Sequence, residues 1–239
     1  YIYTMTIDKK ILVFTATYNE SENISELISL IMEQNFKPDL LIIDDNSPDG
    51  TYNKVEQMQK KFKNLFLIKR IGKLGLDTAH KEGYDFAKKN NYDYFITMDA
   101  DFSHDPRELP NFVKNLNNFP IVLGSRYVIG GNCLMSGRRL IISKYGNKFM
   151  KFIFKFDCNE FTTSYRGFNL NKLNSFHLNL IKTKGYSFFM GTIYEIFKKG
   201  FKVKEIPITF KDRSKGYSKI PRIEILRTLK NILFLKLFG

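Results

Sequence analysis

Short apolar runs alternate with segments of helical periodicity along the first half of the chain. The runs are rich in β-branched and aromatic residues, which is typical of buried strands. They lie at Ile11–Thr17, 40–43, 65–68, 94–98 and 121–123. Helices are predicted between them, including Leu76–Lys89 and a proline-started helix at 106–116. This alternation predicts right-handed βαβ units and an α/β fold with a mostly parallel sheet and flanking helices.

A helix-start signal follows the first strand. Asn19 with Glu22 three residues later matches a capping box, which predicts that Asn19 caps the first helix. The second predicted strand is followed by 44–50, whose Asp, Asn, Ser, Pro and Gly residues are typical of a turn.

The ends of the predicted strands carry the candidate chemistry, because ligands of parallel sheets bind beyond the carboxyl ends of the strands. The residues at these ends are rich in carboxylates. A dinucleotide-binding GxGxxG sequence after the first strand is absent, and so is a GxxxxGK phosphate loop ending in Ser or Thr. The sequence therefore argues against a dinucleotide-dependent redox enzyme and against an ATPase.

Asp99-Ala100-Asp101 directly follows the fourth predicted strand. Residues i and i+2 of an extended chain point to the same side, so both carboxylates can face one site. Two close carboxylates repel each other unless a cation lies between them. Mg²⁺ or Mn²⁺ bound by one or two carboxylates and by substrate phosphates resolves this repulsion. The alternative, that each aspartate pairs with a lysine or caps a helix, is disfavoured by the position at a strand end.

A second acidic pair, Asp44-Asp45, follows the second strand. One of the two is expected to form the turn, and the other to accept hydrogen bonds from a base or ribose. Tyr18 and Glu20 are expected to line the same nucleotide pocket. The alternatives are plain packing for Tyr18 and compensation of a helix dipole for Glu20.

Composition places the chain among ordinary globular proteins. Its 239 residues are 43% hydrophobic and 26% charged, which excludes a disordered chain and a disulfide scaffold. Two cysteines outside any metal-binding pattern indicate a reducing compartment. No run of about 18 apolar residues is present, and residues 1–10 lack the apolar stretch of a signal peptide. We therefore expect a cytoplasmic protein.

The net charge of +14 is carried by the second half of the chain. Residues 1–120 hold 15 lysines and arginines against 18 acidic residues, a net charge of −3. Residues 121–239 hold 23 against 6, a net charge of +17. This asymmetry predicts a polyanionic partner such as nucleic acid, anionic lipid or phosphate. Nucleic acid is not expected, because no recognisable nucleic-acid-binding module is present.

Two segments of the second half carry an apolar stripe beside a basic row. The first stripe consists of Ile141, Tyr145, Phe149, Phe152 and Phe156, next to four lysines. The segment 221–238 repeats the pattern with leucines. Amphipathic helices of this kind bind an anionic membrane surface, whereas a helix packed on the core with a solvated basic edge is the alternative. Two such segments favour a peripheral position on the cytoplasmic membrane face.

Seven sequence motifs occur in the order found in one known family. They are ATYNE (16–20), IIDDNSPDGT (42–51), GLDTAHKEG (75–83), MDADFSHDP (98–106), GSRYVIGG (124–131), RRLIIS (138–143) and PITFKDRSKGYSK (207–219). Together they resemble polyprenol-phosphate mannosyltransferases of the dolichol-phosphate mannose synthase type, inverting enzymes of glycosyltransferase family two. The resemblance implies a Rossmann-like glycosyltransferase A fold with amphipathic interface helices in the C-terminal half. It also implies GDP-mannose as donor and a polyprenyl (dolichyl-type) phosphate as acceptor, and it allows for a separate membrane-anchoring subunit.

The resemblance assigns roles to individual residues, with 1–125 as the nucleotide-sugar-binding half and 126–239 as the acceptor-binding and membrane-surface half. The nucleotide sugar is expected at Ala16, Tyr18, Glu20, Ile43, Asp45, Asp99, Ala100, Asp101, Arg126, Arg213 and Lys219. Mg²⁺ or Mn²⁺ is expected at Asp99, Asp101 and Ser103, and the acceptor phosphate at Arg139, Ser143 and Arg166. The residues expected to be catalytic are Asp101, Arg126 and Arg213. For Arg166, pairing with an acidic residue is an equal alternative.

The chain departs from the family pattern at four positions. Ala16 replaces the usual proline, Phe189 and Gly191 stand where Gln and Glu are common, and Tyr217 replaces a glutamate. The last three lie on the acceptor side and bear on the sugar and the lipid more than on the fold. A UDP-glucose or other UDP-sugar enzyme is the second hypothesis. A non-enzymatic basic module that binds membrane or nucleic acid is the third.

The expected nucleophile is a lipid phosphate, which needs little activation. It is anionic at neutral pH because the second pKa of such a phosphate is about 6. The chain accordingly has no convincing His or Cys catalytic group, and its three histidines are not expected to bind metal.

Overall fold

A seven-stranded sheet forms the centre of the protein, whose computed structural model describes residues 9–212 and 224–238. The strand order is β3-β2-β1-β4-β7-β5-β8, in which β7 runs antiparallel to both neighbours and the other pairs are parallel. The strands of this sheet are β1 (Ile11–Thr17), β2 (Asp39–Asp44), β3 (Leu65–Lys69), β4 (Tyr94–Thr97), β5 (Ile121–Ser125), β7 (Arg166–Asn169) and β8 (Val203–Pro207). The short strands β6 (Asn132–Cys133) and β9 (Thr209–Phe210) form a separate parallel pair.

Helices pack on both faces of the sheet. They are α1 (Ile24–Met32), α2 (Thr51–Gln59), α3 (Leu76–Lys89), α4 (Leu109–Leu116), α5 (Gly137–Phe154), α6 (Ser187–Lys198) and α7 (Glu224–Phe238). The five predicted strands are present, each shifted at its ends by at most two residues, and α3 has the predicted bounds. The helix predicted at 106–116 forms as the 3₁₀ turn Pro106–Glu108 followed by α4. The mostly parallel sheet predicted from the alternation is confirmed.

The predicted capping box at Asn19 is wrong. Helix α1 begins at Ile24, and Asn19 lies outside it with a left-handed φ of 56°. Its N–H donates to Ser47 Oγ at 2.9 Å, and the N–H of Glu20 donates to Thr51 Oγ1 at 2.9 Å. These bonds to the segment after β2 hold 19–20 in a turn, which the local sequence pattern does not reveal.

The first strands are buried on both faces, as expected for a parallel sheet covered by helices. Leu12 and Phe14 of β1 join the core on one face, and Ile11 and Val13 join the core on the other. The apolar run that predicted β1 is continuous for this reason.

Strand β7 is not predicted by the sequence pattern. Its four residues, Arg-Gly-Phe-Asn, lack an apolar run, and it is held by pairing on both sides, with Arg166 opposite Thr97 and Leu123. Gly167 is closely packed, since a Cβ there would lie 2.9 Å from Cδ1 of Leu116. β7 inserts a segment of the second half between β4 and β5. The functional division at residue 125 stays a prediction.

Helix α5 turns most of its predicted apolar stripe outward, but Phe156 lies beyond the end of the helix and packs against Tyr194 and Phe197 of α6. Tyr145 is 63% exposed and Phe152 is 76% exposed, whereas Met150 and Phe154 on another face are buried. The stripe is therefore not the face that packs on the core. This argues against the alternative that the helix packs its apolar stripe on the core and leaves only a solvated basic edge.

Helix α7 shows the same arrangement. Leu233 and Leu237 of its predicted stripe are exposed, while Ile232 and Leu235 are buried. Among the described residues, no helix combines the length and the apolarity needed to cross a membrane.

Two helical glycines provide a test of the packing. A Cβ at Gly83 would lie 2.8 Å from Cδ2 of buried Phe14, whereas nothing else in the described structure lies within 4 Å of one at Gly146. We expect Gly83→Ala to lower the free energy of unfolding by about 1–3 kcal/mol, because overpacking outweighs a helix-propensity gain of about 1 kcal/mol. Gly146→Ala should raise it by about 0.5–1 kcal/mol. Urea unfolding followed by circular dichroism measures both, and equal effects would contradict the contact with Phe14.

Candidate active site

Acidic residues gather where the carboxyl ends of β1, β2 and β4 meet. Asp44 is fully buried, and its carboxylate accepts hydrogen bonds from Thr17 Oγ1 at 2.7 Å and from the Ser47 N–H and hydroxyl at 2.8 and 2.6 Å. These contacts fix the turn that follows β2. Asp44 is therefore the turn-forming member of the Asp44-Asp45 pair.

Asp45 is held by the guanidinium of Arg70, which follows β3. The two side chains form a buried ion pair, and the N–H of Gly75 donates to Asp45 Oδ2 at 3.3 Å. Arg70 also donates to Thr78 Oγ1 at 2.6 Å. The orientation of the Asp45 carboxylate is thus set by residues that the sequence reasoning did not assign.

Tyr18 and Glu20 lie beyond the end of β1, next to Asp45. The Lys73 ammonium lies 4.3 Å from the centre of the Tyr18 ring, and Glu20 Oε2 accepts a hydrogen bond from Asn23 Nδ2 at 3.0 Å. A carboxylate and an aromatic ring at neighbouring strand ends can bind a polar planar group such as a nucleobase.

Ala16 and Ile43 are register partners on β1 and β2. Ala16 is partly buried, and the Ile43 side chain is completely buried in the core. A contact of Ile43 with the nucleoside would have to come from its main chain, and this expectation stays a prediction.

Asp99 and Asp101 lie in the turn after β4 and border the same cavity. Asp99 Oδ1 accepts a hydrogen bond from Ser164 Oγ at 2.6 Å. Asp101 Oδ1 accepts hydrogen bonds from the N–H and hydroxyl of Ser103 at 3.1 and 2.6 Å. Ala100 between them is buried, and the Asp99 side chain is 37% exposed. The turn therefore presents both carboxylates to one site.

These residues fit a hard divalent cation. The described residues contain no group of three or more His, Cys, Asp and Glu able to bind a metal. A site with two carboxylates is nevertheless typical of Mg²⁺, which takes its remaining ligands from substrate phosphates and water. The Ser103 hydroxyl donates to Asp101 Oδ1, and its oxygen keeps lone pairs with which it would bind the cation.

His104 closes the same turn and is 1% exposed. Its Nδ1 accepts a hydrogen bond from the N–H of Asp99 at 3.0 Å. Burial lowers the pKa of His104 below its ordinary value, although the charges of Asp99 and Asp101 oppose this shift. The imidazole is therefore neutral at pH 7.

A cavity of about 680 Å³ extends from this turn to helices α5, α6 and α7. Its polar wall contains predicted site residues, namely Asp99, Asp101, Ser103, Arg126, Arg139 and Ser143. Its apolar wall contains Met135, Ile142, Phe149, Met150, Phe189, Met190, Phe210, Leu229 and Ile232. Such a combination suits a ligand with one anionic and one apolar part.

Arg126 lies in the cavity wall and is paired with Glu160. Its Nε and Nη2 donate to the two carboxylate oxygens, each at 2.7 Å, and Nη2 also donates to Thr162 Oγ1 at 2.7 Å. Burial opposes both charges, but their attraction prevails: the pKa of Glu160 is lowered and that of Arg126 is raised. Within the described residues Nη1 makes no hydrogen bond, so it is the nitrogen left to contact a phosphate.

Arg139 and Ser143 of α5 border the cavity as well. Arg139 Nη1 donates to Asp212 Oδ1 at 3.0 Å in a half-exposed ion pair, and Ser143 Oγ accepts a hydrogen bond from the Tyr127 hydroxyl at 2.8 Å. Exposed ion pairs contribute at most about 1 kcal/mol. Asp212 therefore does not prevent Arg139 from binding an anion.

Arg166 does not border the cavity. It is 1% exposed and donates to the carbonyl oxygens of Thr163, Phe189 and Phe161 at 2.7, 2.8 and 3.0 Å. Burial lowers the pKa of Arg166 to about 9. The expectation that it binds the acceptor phosphate is wrong, and its hydrogen bonds go to main-chain carbonyls rather than to a carboxylate. Arg166 instead joins the segment before β7 to helix α6.

Arg213 and Lys219 lie outside the described residues. Their expected contacts with phosphate stay predictions from the sequence.

Sequence reasoning assigned no role to Glu160, Ser164 or Arg70, although each orients a predicted site residue. Glu160 lies 34 residues from Arg126 in the sequence, Ser164 lies 65 residues from Asp99, and Arg70 lies 25 residues from Asp45. The position of Arg70 directly after a predicted strand was a usable signal. Ser164 lies in the segment 162–168, which resembles the family's acceptor loop, but no local signal links it to Asp99. Glu160 precedes that segment and has no local signal.

The order of the seven sequence motifs is explained by a match to a known family. Residues 12–176, more than half of the chain, match the model of glycosyl transferase family 2. The chain belongs to this family. The similarity therefore includes the strand-end residues up to the segment that carries Glu160 and Ser164.

Two curated relatives of this glycosyltransferase cover most of its length. A polyprenol monophosphomannose synthase from Mycolicibacterium smegmatis is 31% identical over 220 residues, which are 91% of this chain and 83% of that protein. An undecaprenyl-phosphate mannosyltransferase from Micrococcus luteus is 30% identical over 212 residues, which are 88% of this chain and 87% of that protein. The resemblance inferred from the motifs is confirmed.

Solved structures of a glucosyl-3-phosphoglycerate synthase from Mycobacterium tuberculosis share the fold. The complex of that protein with Mn²⁺, UDP and glucosyl-3-phosphoglycerate has a TM-score of 0.68 at 14% identity and covers 96% of this chain and 80% of that one. Its complex with Mn²⁺ and UDP-glucose has a TM-score of 0.67 at 14% identity, with 96% and 79% covered. The Rossmann-like glycosyltransferase A fold is confirmed.

The Arg126–Glu160 pair yields a stability prediction. We expect Glu160→Ala to lower the free energy of unfolding by about 3–5 kcal/mol, because it leaves a buried guanidinium without its counter-charge. Arg107→Ala is the control, since it removes the exposed partner of Asp105 and should have a much smaller effect. Urea denaturation measures both. A loss below about 1 kcal/mol for Glu160→Ala would show that the guanidinium is hydrated in solution.

Proposed function

We propose that this protein transfers mannose from GDP-mannose to a polyprenyl (dolichyl-type) phosphate, with inversion at the anomeric carbon. The names of its two curated relatives, a polyprenol monophosphomannose synthase and an undecaprenyl-phosphate mannosyltransferase, support the sugar and the class of acceptor. The observation that carries the proposal is the cavity, which combines the carboxylates of Asp99, Asp101 and Asp212 and two arginines with a largely apolar wall.

Asp99 and Asp101 would hold Mg²⁺ or Mn²⁺. The M. tuberculosis neighbours solved with Mn²⁺ and UDP or UDP-glucose support a divalent ion. When bound, such an ion neutralises the charge of the departing nucleoside diphosphate. The chain itself fixes the carboxylates, through Ser164 for Asp99 and Ser103 for Asp101.

Tyr18, Glu20 and Asp45 would bind the nucleoside at the ends of β1 and β2. The Asp45 carboxylate is already oriented by Arg70 and by the N–H of Gly75, so it would need little rearrangement to accept a hydrogen bond. Lys73 lies over the Tyr18 ring and would move aside if a base stacked there. Arg213 and Lys219 would add contacts to the diphosphate.

The acceptor phosphate would bind beside Arg139, Ser143 and the free edge of Arg126. All three border the cavity, and Tyr127 holds the Ser143 hydroxyl. The isoprenoid chain would then lie along the apolar wall, where Phe149 of α5 and Leu229 of α7 lead from the cavity to the exposed stripes of these helices.

This arrangement needs no strong general base. The phosphate oxygen is anionic at neutral pH, and attack from the side opposite the nucleotide inverts the anomeric configuration. The buried cation of Arg126 is fixed before the reaction by Glu160. Preorganised charge of this kind stabilises a developing anion without the cost of reorganising solvent. Catalysis would therefore depend on Asp101, Arg126 and Arg213 through electrostatics and position.

Replacement of Asp101 tests the reaction. We expect Asp101→Asn to lower transfer by about 10³-fold, because it removes a charge that holds the metal and the diphosphate. Asp85→Asn, on the exposed side of α3, should leave transfer unchanged. Radiolabelled GDP-mannose, Mn²⁺ and a short polyprenyl phosphate are incubated with each variant, and label is counted in the organic phase.

The same assay separates the hypotheses. Label from UDP-glucose but not from GDP-mannose would favour the UDP-sugar enzyme. If neither donor transfers its sugar, the result would support the non-enzymatic module. Full activity of Asp101→Asn would contradict the metal site.

The proposal places the protein on the cytoplasmic membrane face as a peripheral protein. The exposed apolar stripes of α5 and α7 are bordered by exposed basic residues, including Lys144, Lys148, Lys230 and Lys236. Apolar side chains at the headgroup boundary and lysines near lipid phosphates stabilise such binding together. A separate membrane-anchoring subunit stays a prediction of the family resemblance.

Vesicles test this surface. We expect the double variant Lys144→Glu with Lys148→Glu to bind anionic vesicles at least about tenfold more weakly, since each lysine near the surface contributes about 1 kcal/mol. The control is Lys88→Glu with Lys89→Glu, at the exposed end of α3. Cosedimentation with phosphatidylglycerol vesicles measures binding. Equal losses of vesicle binding in both double variants would contradict membrane binding through the basic edge of α5. Binding that does not weaken as salt rises would contradict it too.

A further inference from the structure

His104 has two ring nitrogens in different surroundings. Nδ1 accepts a hydrogen bond from the main-chain N–H of Asp99 at 3.0 Å. A ring nitrogen that accepts a hydrogen bond carries no proton, so the neutral ring carries its proton on Nε2. Nε2 is buried and has no hydrogen-bond partner among the described residues.

The position of the ring is set by the second half of the chain. It stacks on Tyr165 with the ring centres 4.8 Å apart, and it meets Phe210 edge-on at 5.5 Å. Tyr165 directly precedes β7, and Phe210 ends β9. The hydrogen bond to Nδ1 therefore ties the main chain of Asp99 to these two strands.

Packing alone does not require a nitrogen at this position, because a phenylalanine ring would make the same aromatic contacts. A buried donor without a partner is also unfavourable for stability. Groups of this kind are rare in folded proteins, and where they persist they call for an explanation. The acceptor atom Nδ1 is what a phenylalanine would lack.

We infer that His104 is a positioning residue of the metal site, which fixes Asp99 through its main-chain N–H and directs its carboxylate to the cation. The inference rests on the proposed function of Asp99 and Asp101. Asp99 lies outside the strands, in a turn that contains Phe102 with a left-handed φ of 61°, so the sheet does not fix its main chain.

The carboxylate of Asp99 is held through only one of its two oxygens. Ser164 holds Oδ1 by a hydrogen bond of 2.6 Å. Oδ2 lies 3.8 Å from His104 Nδ1, whose lone pair is already directed at the Asp99 N–H. Neither atom can donate a hydrogen bond to the other. Their contact therefore does not hold Oδ2 in place, and this oxygen remains available to a cation in the cavity.

Variants of His104 separate positioning from packing. His104→Phe keeps the ring contacts and removes the acceptor, and His104→Gln carries its amide near the ε position, where it does not accept from the Asp99 N–H. His104→Asn keeps an oxygen acceptor near the position of Nδ1. We expect Mn²⁺ affinity to fall by about 10–100-fold in the first two variants, as is usual when a partner of a metal ligand is lost. In His104→Asn it should stay within about threefold of the wild type.

The measurement is the loss of the free Mn²⁺ signal in electron paramagnetic resonance, with the full chain and GDP, and again with UDP. Circular dichroism identifies the variants that are folded. If His104→Phe does not fold, His104→Gln decides the question. Unchanged affinity in the folded variant without the acceptor overturns the inference while the metal site stands. A His104→Asn variant as weak as the others overturns it too. A wild-type protein that binds no Mn²⁺ with either nucleotide overturns the metal site and the inference together.

Discussion

The insertion of β7 between β4 and β5 is the constraint on which the rest of the site depends. It places the segment before β7 against the turn that carries Asp99 and Asp101. Thr97 at the end of β4 donates to the carbonyl oxygen of Ser164, and Ser164 in turn donates to Asp99. On the other side, the N–H of Gly124 in β5 donates to the carbonyl oxygen of Tyr165. The turn that carries Asp99 and Asp101 is thereby held at a fixed distance from the end of β5, which Arg126 follows.

The second consequence of this insertion is the burial of charge. Arg126 and Arg166 both lie close to the segment before β7 and are almost fully buried, yet they are stabilised differently. Arg126 is paired with a carboxylate, whereas Arg166 donates to three carbonyl oxygens. Cations in a medium of low dielectric constant act strongly on nearby anions. Arg126 borders the cavity and can act on a ligand there. Arg166 instead joins the segment before β7 to helix α6.

Helices α5 and α7 show how periodicity alone leaves an orientation open. The sequence shows an apolar stripe on each helix, and a stripe of this kind usually packs on the core. In the structure, residues outside the stripes pack inward, and most stripe residues face outward, with Phe156 as an exception. The helices can use both faces because each also has apolar residues beside the stripe, such as Met150 and Ile232. Burial of one face is decided by the neighbouring elements and not by the helix itself.

The sequence by itself determined the parallel strands of the first half, the helices between them, and the acidic residues at the strand ends. Continuous apolar runs and turn residues are local signals, and they act over fewer than about ten residues. The tertiary structure alone decided that Asn19 leaves the first helix, that Arg166 enters the core, and that Glu160 and Ser164 orient Arg126 and Asp99. Each of these outcomes depends on a partner far away in the chain. Because hydrogen bonds and ion pairs of buried groups are formed with whatever the fold brings close, local composition cannot specify them.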